Sequence, residues 1–212
     1  MGGGEGKVPS FAASARKSVQ TPRGPVELLA RAAPGLLAEL VMDEGLNNFR
    51  PAERQHKALL LIAGSPEGRV AIARSGPVII GYVNFHRPHK FSRWARHPLM
   101  LEVGGIEISP AWRHLGIASQ LLKVAFADPS VEDYIIFTTE YCWHWDLAGS
   151  GLDIWQYQRI MVRLFEAVGM VKMETDDRDI LAHPANVFMA RIGKNVPAGQ
   201  VKSFQRLLFR HP

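Results

Sequence analysis

The apolar residues of this chain change their repeat twice, and that switching is the tightest constraint on its fold. From Pro34 to Ile62 they recur at helical spacing: Leu36, Leu37, Leu40 and Val41 form one face, and a second face runs from Pro51 to Ile62. From Arg69 the repeat falls to two. Arg69–Ala73 and Val78–Phe85 read as a hairpin turning at Ser75-Gly76-Pro77, and Leu99–Ile108 reads as a third strand. Helical spacing then returns at Leu115–Ala127 and Asp153–Val168, with a strand-sized apolar run at Asp133–Thr139 between them. Met170–Glu174 and Asn186–Ile192 read as closing strands, and Val201–Phe209 as a short last helix. A chain alternating in this way predicts an α/β (α+β) domain, with a mixed, mostly antiparallel sheet flanked by helices.

Charge and composition trim the possibilities. Residues 1–25 carry +3 and residues 191–212 carry +5 of a net +5, which leaves −3 for the middle. A basic nucleic-acid-binding core is therefore not expected. The ends read as a basic flexible tail (1–25) and a basic C-terminal extension (196–212), around one domain at 26–195. No apolar run approaches the ~20 residues of a membrane helix, and no apolar signal core opens the chain. The single cysteine, Cys142, rules out an internal disulfide. The expectation is a cytoplasmic protein without membrane contact.

The segment Ile106-Glu107-Ile108-Ser109-Pro110-Ala111-Trp112-Arg113-His114-Leu115-Gly116-Ile117-Ala118-Ser119 carries the chemistry. A strand ends at a proline turn, a cation follows, and small residues open an amphipathic helix. Free amides at a helix start, together with the macrodipole, attract anions. Gly116 and Ala118 would let a pyrophosphate approach the backbone, and Arg113 would add charge. An ordinary strand–turn–helix with a small-residue contact is the alternative.

This segment resembles the acetyl-CoA-binding motif of the GNAT N-acetyltransferase superfamily, Q/R-x-x-G-x-G/A after a strand ending V/I-x-P. Arg113, Gly116 and Ala118 match the motif, and Ile108 and Pro110 match the lead-in. The resemblance implies the GNAT fold, acetyl-CoA as co-substrate without a metal, and contacts to it from Ile106, Ile108, Arg113, His114, Leu115, Gly116, Ile117, Ala118 and Ser119. It also implies an oxyanion donor among the backbone amides near Ile108. Blocks at 49–59, 138–147 and 183–196 resemble the acetoin-utilisation branch of the superfamily. That likeness implies a protein lysine acetyltransferase whose partner protein is acetyl-CoA synthetase. A GNAT enzyme acting on a small amine and a non-catalytic acyl-CoA-binding regulator stay open.

Amine transfer needs a proton acceptor, since a lysine amine of pKa ~10.4 is almost wholly protonated at neutral pH. Gly104-Gly105 inside a strand suggests a bulge, which would bring Glu102 and Glu107 to one face as candidate bases. Glu102 also stands eleven residues before Arg113, the spacing of the base in the histone-acetyltransferase branch. Many GNAT enzymes carry a tyrosine acid where this chain has Phe165; Tyr157, two helical turns earlier, is read as too distant. In the aromatic loop 140–152, His144 and Asp146 are a possible base–orienter pair, and Cys142 reads as inert.

Overall fold

The computed structural model describes residues 15–209. Among the described residues nine strands form one sheet. They are β1 (Arg16–Thr21), β2 (Gly24–Leu29), β3 (Val41–Met42), β4 (Arg69–Ser75), β5 (Val78–His86), β6 (Met100–Ile108), β7 (Ile135–Glu140), β8 (Val171–Met173) and β9 (Val187–Ile192). Helices α1 (Pro34–Glu39), α2 (Ala52–Gly64), α3 (Ile117–Phe126), α4 (Leu147–Ser150), α5 (Ile154–Glu166), α6 (Arg178–Leu181) and α7 (Ala198–Leu208) connect and cover them. The sheet order is β1-β2-β4-β5-β6-β7-β9-β8, with β3 beside β5. Among the described residues β3–β5 and β6–β7 alone pair in parallel, as expected of a mostly antiparallel sheet with a helical crossover between β6 and β7.

Both faces of the sheet are covered. One buries Leu28, Ala71, Val83, Leu101 and Ile136 beneath Leu121, Leu122 and Ala125 of α3 and Phe165 of α5. On the other, Leu37 of α1 and Leu59 of α2 pack on Ile72, Ile79 and Tyr82. Further along that second face, Trp94 and Phe204 pack on Phe137 and Phe188. Helix α5 starts at a capping box: Asp153 accepts from the Gln156 amide while the Gln156 side chain accepts from Asp153 N–H.

The expected N-terminal tail differs from its reading, whereas the C-terminal extension forms the short helix expected of it, α7. The part of the tail from Arg16 to Pro25 lies in a hairpin with β2, pairing Arg16 with Leu29 through Thr21 with Gly24; the first 14 residues lie outside the described residues. Strand β1 offers no apolar alternation because its side chains are largely exposed, and backbone bonds to β2 hold it. That helix is tied into the core. Phe204 of α7 is fully buried, and the Leu208 carbonyl accepts from the Thr175 hydroxyl at 2.6 Å. Residues 210–212 lie outside the described residues. Helix α1 also stops short of Val41, which pairs with Val78 instead.

Candidate active site

Strand β6 carries the site, and its pairing explains why. It pairs with β7 only from Met100 to Glu102. Beyond Glu102, β7 continues to Glu140 against β9, while β6 continues to Ile108 against β5. The two parallel strands therefore part, and the backbone groups of residues 103–108 that face β7 have no strand partner. The register against β5 slips where Asn84 pairs with Gly105 and Phe85 with Val103, so Gly104 is the extra residue of a bulge. A Cβ at Gly104 would collide with the His86 imidazole and the Asn84 amide, so any larger residue there would displace those two side chains. Leu101 and Val103 before the bulge, and Ile106 and Ile108 after it, face the α3 layer. Glu102 and Glu107 thus share the opposite face, as the glycine pair suggested.

The two carboxyls have different surroundings. Glu107 is buried, accepting the Asn48 amide at 2.8 Å and the Tyr82 hydroxyl at 2.8 Å. Burial pushes its pKa up against the pull of those two bonds and of Arg113, while burial and the adjacent carboxylate push the Tyr82 hydroxyl up. Glu107 fastens the segment Asn48–Arg50. Glu102 instead lines open space. Its one hydrogen bond is a long one from the Thr139 hydroxyl, 3.4 Å. Burial raises its pKa, and His86, Thr139 and His89 oppose the rise.

The gap between β6 and β7 opens a cavity of about 530 Å³. Thr138, Glu140, Trp145, Tyr157 and Met161 line it on the α5 side, and Phe49, Arg50, Glu102, Thr139 and Tyr141 on the other, so it passes through the sheet. A second cavity of about 390 Å³ meets the first at Glu102, Thr139 and Tyr141, and reaches His89, Phe91, Asp177 and Asp179. Glu102 is the one carboxylate lining both. Exposed aromatics stand at the mouths: Trp143 (53% exposed) at the first and Phe91 (83%) at the second. The Asn48 side chain donates to the His144 carbonyl at 3.1 Å and ties the two lips of the first cavity together.

The helix start of α3 is prepared for an anion. Gly116 is its N-cap at φ +73°, a left-handed conformation that favours glycine. His114 also takes positive φ, +62°, and this tightens the turn. No side chain caps the helix and its first turn holds no acid, so the amides of Ile117, Ala118 and Ser119 keep free N–H groups. Arg113 does not stand free at this start. Its guanidinium donates to Asp146 at 2.7 Å and to the Ile108 carbonyl at 3.2 Å. The Arg113 guanidinium bonded to Asp146 holds that carboxyl below the usual carboxylate range.

A model of the acetyltransferase (GNAT) family matches residues 37–128. The chain is 44% identical over 197 residues to the acetoin utilization protein AcuA of Bacillus licheniformis, covering 92% of this chain and 94% of that protein. It is 42% identical to AcuA of Bacillus subtilis, covering 92% and 93%. It belongs to the AcuA family of GNAT acetyltransferases. The crystal structure of an acetoin utilization protein from Exiguobacterium sibiricum superposes with a TM-score of 0.88 at 42% identity, covering 95% of this chain and 97% of that one.

As an AcuA-family member the chain is an acetyl-CoA-dependent N-acetyltransferase. Some residues of its cleft differ from their expected placement. His144 and Asp146 do not pair; Asp146 serves Arg113 and the Gly149 amide, while His144 packs edge-on against Tyr141 and Trp143. Tyr157 is not remote. It lines the cavity, stacked on Trp145 with ring centroids 5.2 Å apart, while Phe165 is fully buried in the core. Glu140 was given no role in the sequence, though it ends an apolar strand and so marks a carboxyl at the end of a central strand. It accepts from the Thr138 hydroxyl (2.9 Å) and the Trp145 indole (3.2 Å), and burial pushes its pKa up. Tyr141 is pushed up by burial to about 12. No cluster of three or more potential metal ligands forms among the described residues, and no helix there is long and apolar enough to cross a membrane.

Proposed function

We propose that this enzyme transfers the acetyl group of acetyl-CoA to the ε-amine of a lysine on a folded partner protein, and that the partner is acetyl-CoA synthetase. One observation carries the reading. The two cavities join at Glu102, and the outward mouth is rimmed by exposed aromatics, Phe91 and Trp143. Solvent-facing aromatics beside a site are characteristic of protein-contact surfaces. The kinship with AcuA proteins supports the same reading.

In the mechanism that follows, the pyrophosphate of acetyl-CoA rests on the amides of Ile117–Ser119, where dipole and unpaired N–H groups favour negative charge. The pantetheine arm enters the gap from the α3 side, where β6 backbone groups lack strand partners, and an amide of that free edge donates to the thioester oxygen as it gains charge. The acceptor lysine arrives from the opposite face through the second cavity. Glu102, open to both cavities, takes the proton of the attacking amine. The nitrogen bonds to the carbonyl carbon, the carbon–sulfur bond breaks, and the pair leaves on sulfur. Glu107 acts at one remove by holding Asn48–Arg50 over the cavity.

The test is incubation of the purified enzyme and synthetase with acetyl-CoA, followed by peptide mass spectrometry and a synthetase assay. One synthetase lysine should gain about 42 Da, an acetyl group in place of a hydrogen, and synthetase activity should fall with it. Ready turnover of a small amine with no acetylated synthetase lysine would overturn the protein-substrate reading.

A further inference from the structure

Strands β6 and β7 pair at one end and part beyond Glu102, yet side chains rejoin them where the gap ends. On the Glu102 face, Glu107 of β6 accepts the Asn48 amide at 2.8 Å, and the Asn48 side chain donates to the His144 carbonyl, beyond β7, at 3.1 Å. The second tie is Arg113, in the turn after β6. Its guanidinium donates to Asp146, the N-cap of α4 beyond β7, at 2.7 Å, while its Nε–H donates to the Ile108 carbonyl at the end of β6, at 3.2 Å. Asp146 is fixed in turn, since its other oxygen accepts the Gly149 amide at 2.9 Å. The gap is therefore a slot, fastened at one end by strand pairing and at the other by two side-chain ties.

The second tie grips a residue whose backbone is aimed into the slot. The Ser109 amide donates to the Ile80 carbonyl at 2.9 Å, toward β5. Successive residues of a strand turn their N–H and C=O groups to opposite sides, so both groups of Ile108 point away from β5, into the gap. The Ile108 carbonyl is taken by Arg113. The Ile108 N–H is left facing the space between the strands. A guanidinium suits this post because its donors are set in one rigid plane. Here one donor serves each side of the slot, so the plane fixes the distance between Ile108 and Asp146.

We propose that Arg113 is a positioning residue rather than a phosphate ligand: braced on Asp146, it sets the width of the slot and holds the Ile108 N–H against the thioester oxygen. The inference rests on the reading that an amide of the free β6 edge receives that oxygen. It leaves the pyrophosphate to the amides of α3. As the amine nitrogen bonds to the carbonyl carbon, the carbonyl π pair moves onto oxygen and meets the Ile108 N–H. The pair returns as the carbon–sulfur bond breaks and the thiolate leaves with its own pair, while the amine proton goes to Glu102. Arg113 and Asp146 gain and lose nothing. Such a donor works only within about 2.7–3.1 Å of the place the charged oxygen reaches, so a slackened slot costs rate.

The test uses the whole enzyme with acetyl-CoA synthetase as acceptor, and compares acetyl-CoA with S-acetylpantetheine, the same thioester without phosphates. Arg113→Gln should lower kcat about tenfold to a hundredfold, by the same factor with either thioester. Asp146→Asn has one carbonyl oxygen for two donors and should do the same. Arg113→Lys keeps the charge but offers one nitrogen to two acceptors, so it too should lose kcat. Thermal melts should stay within ~4 °C of wild type, as for any pair of this exposure. A phosphate ligand predicts another pattern. Arg113→Gln would then weaken acetyl-CoA binding and spare S-acetylpantetheine, Arg113→Lys would be nearly silent, and Asp146→Asn would free the guanidinium and tighten acetyl-CoA binding. Wild-type turnover of S-acetylpantetheine in either Arg113→Gln or Asp146→Asn overturns the proposal. A readout that needs no acceptor is the thioester carbonyl stretch of bound acetyl-CoA in isotope-edited infrared spectra. Wild type should lower the stretch below its position in water, and Arg113→Gln and Asp146→Asn should bring it back. If wild type does not lower it, the free-edge reading fails and the proposal with it. If wild type and both variants lower it equally, only the role of Arg113 and Asp146 fails.

Discussion

Ser119→Glu separates the stability of α3 from its proposed task. Ser119 is the third residue of the helix, half-buried, in a first turn without an acid or a capping side chain. A carboxylate there meets the positive end of the helix dipole and should stabilise the free enzyme by about 0.3–1 kcal/mol. For a chain of this size that is a rise in Tm of roughly 1–4 °C. The same carboxylate would occupy the space of the pyrophosphate. At a separation of ~6 Å and an effective dielectric of ~20, each phosphate charge is opposed by roughly 2–3 kcal/mol before salt screening. Screening of a half-exposed pair takes away about half of that, leaving an expected weakening of acetyl-CoA binding near 10²-fold. Ser119→Gln has the size without the charge and should bind within about threefold of wild type. The assay is titration calorimetry with acetyl-CoA beside a thermal melt of each variant. A more stable Ser119→Glu enzyme with unaltered affinity would show that the amides of α3 do not hold the phosphates.

Three further outcomes follow from the site. Gly104→Ala drives a methyl into His86 and Asn84, so it should cost about 1–3 kcal/mol in chemical denaturation and lower turnover by displacing strand β6 beside Glu102. Glu102→Gln should lower kcat by ~10²–10⁴ at neutral pH, with partial recovery at high pH where free amine is abundant. Phe91→Ala removes an 83% exposed ring; it should leave stability within ~0.5 kcal/mol and raise KM for the protein acceptor several-fold, with KM for acetyl-CoA unchanged in steady-state kinetics.

Local pattern was enough to read the centre of this molecule. The period-2 runs placed β4, β5, β6 and β7 within a residue or two because those strands carry apolar side chains, and the glycine pair disclosed the bulge because a strand tolerates two glycines only where something approaches closely. The margins were opaque for the converse reason. Strand β1 reads Arg-Lys-Ser-Val-Gln-Thr and exists because β2 supplies a backbone edge. Leu40 and Val41 continue the helical repeat of α1, yet Val41 is drawn out to pair with Val78. The parting of β6 from β7 depends on how far three strands pair, and no local window encodes that. Hence Glu140 and Tyr157 could not be assigned to the cleft, and Asp146 could not be seen to prefer Arg113 over His144.

The cleft also sets a pH signature for the fold. Glu102, Glu107 and Glu140 all have pKa values raised by burial above the ordinary value of 4.5. In the folded state each holds its proton to higher pH than in the unfolded chain. Between 4.5 and the raised values the native state therefore binds more protons, and stability falls as pH rises through that window. The Arg113–Asp146 pair works the other way: Asp146 is lowered, so its contribution is present above its ordinary value of 3.8 and is lost as pH falls below that. That pair is a quarter exposed, and such pairs contribute at most about 1 kcal/mol, so the three carboxyls with raised pKa dominate. Their ionisation at neutral pH is a cost the fold carries, and for Glu102 the ionised form is the one that accepts a proton. Glu102→Gln should therefore melt at a higher temperature than wild type at pH 8 and at nearly the same temperature at pH 4. Equal melting temperatures at both would mean that Glu102 is not strained by its burial, and the link between its environment and its use as a base would be lost.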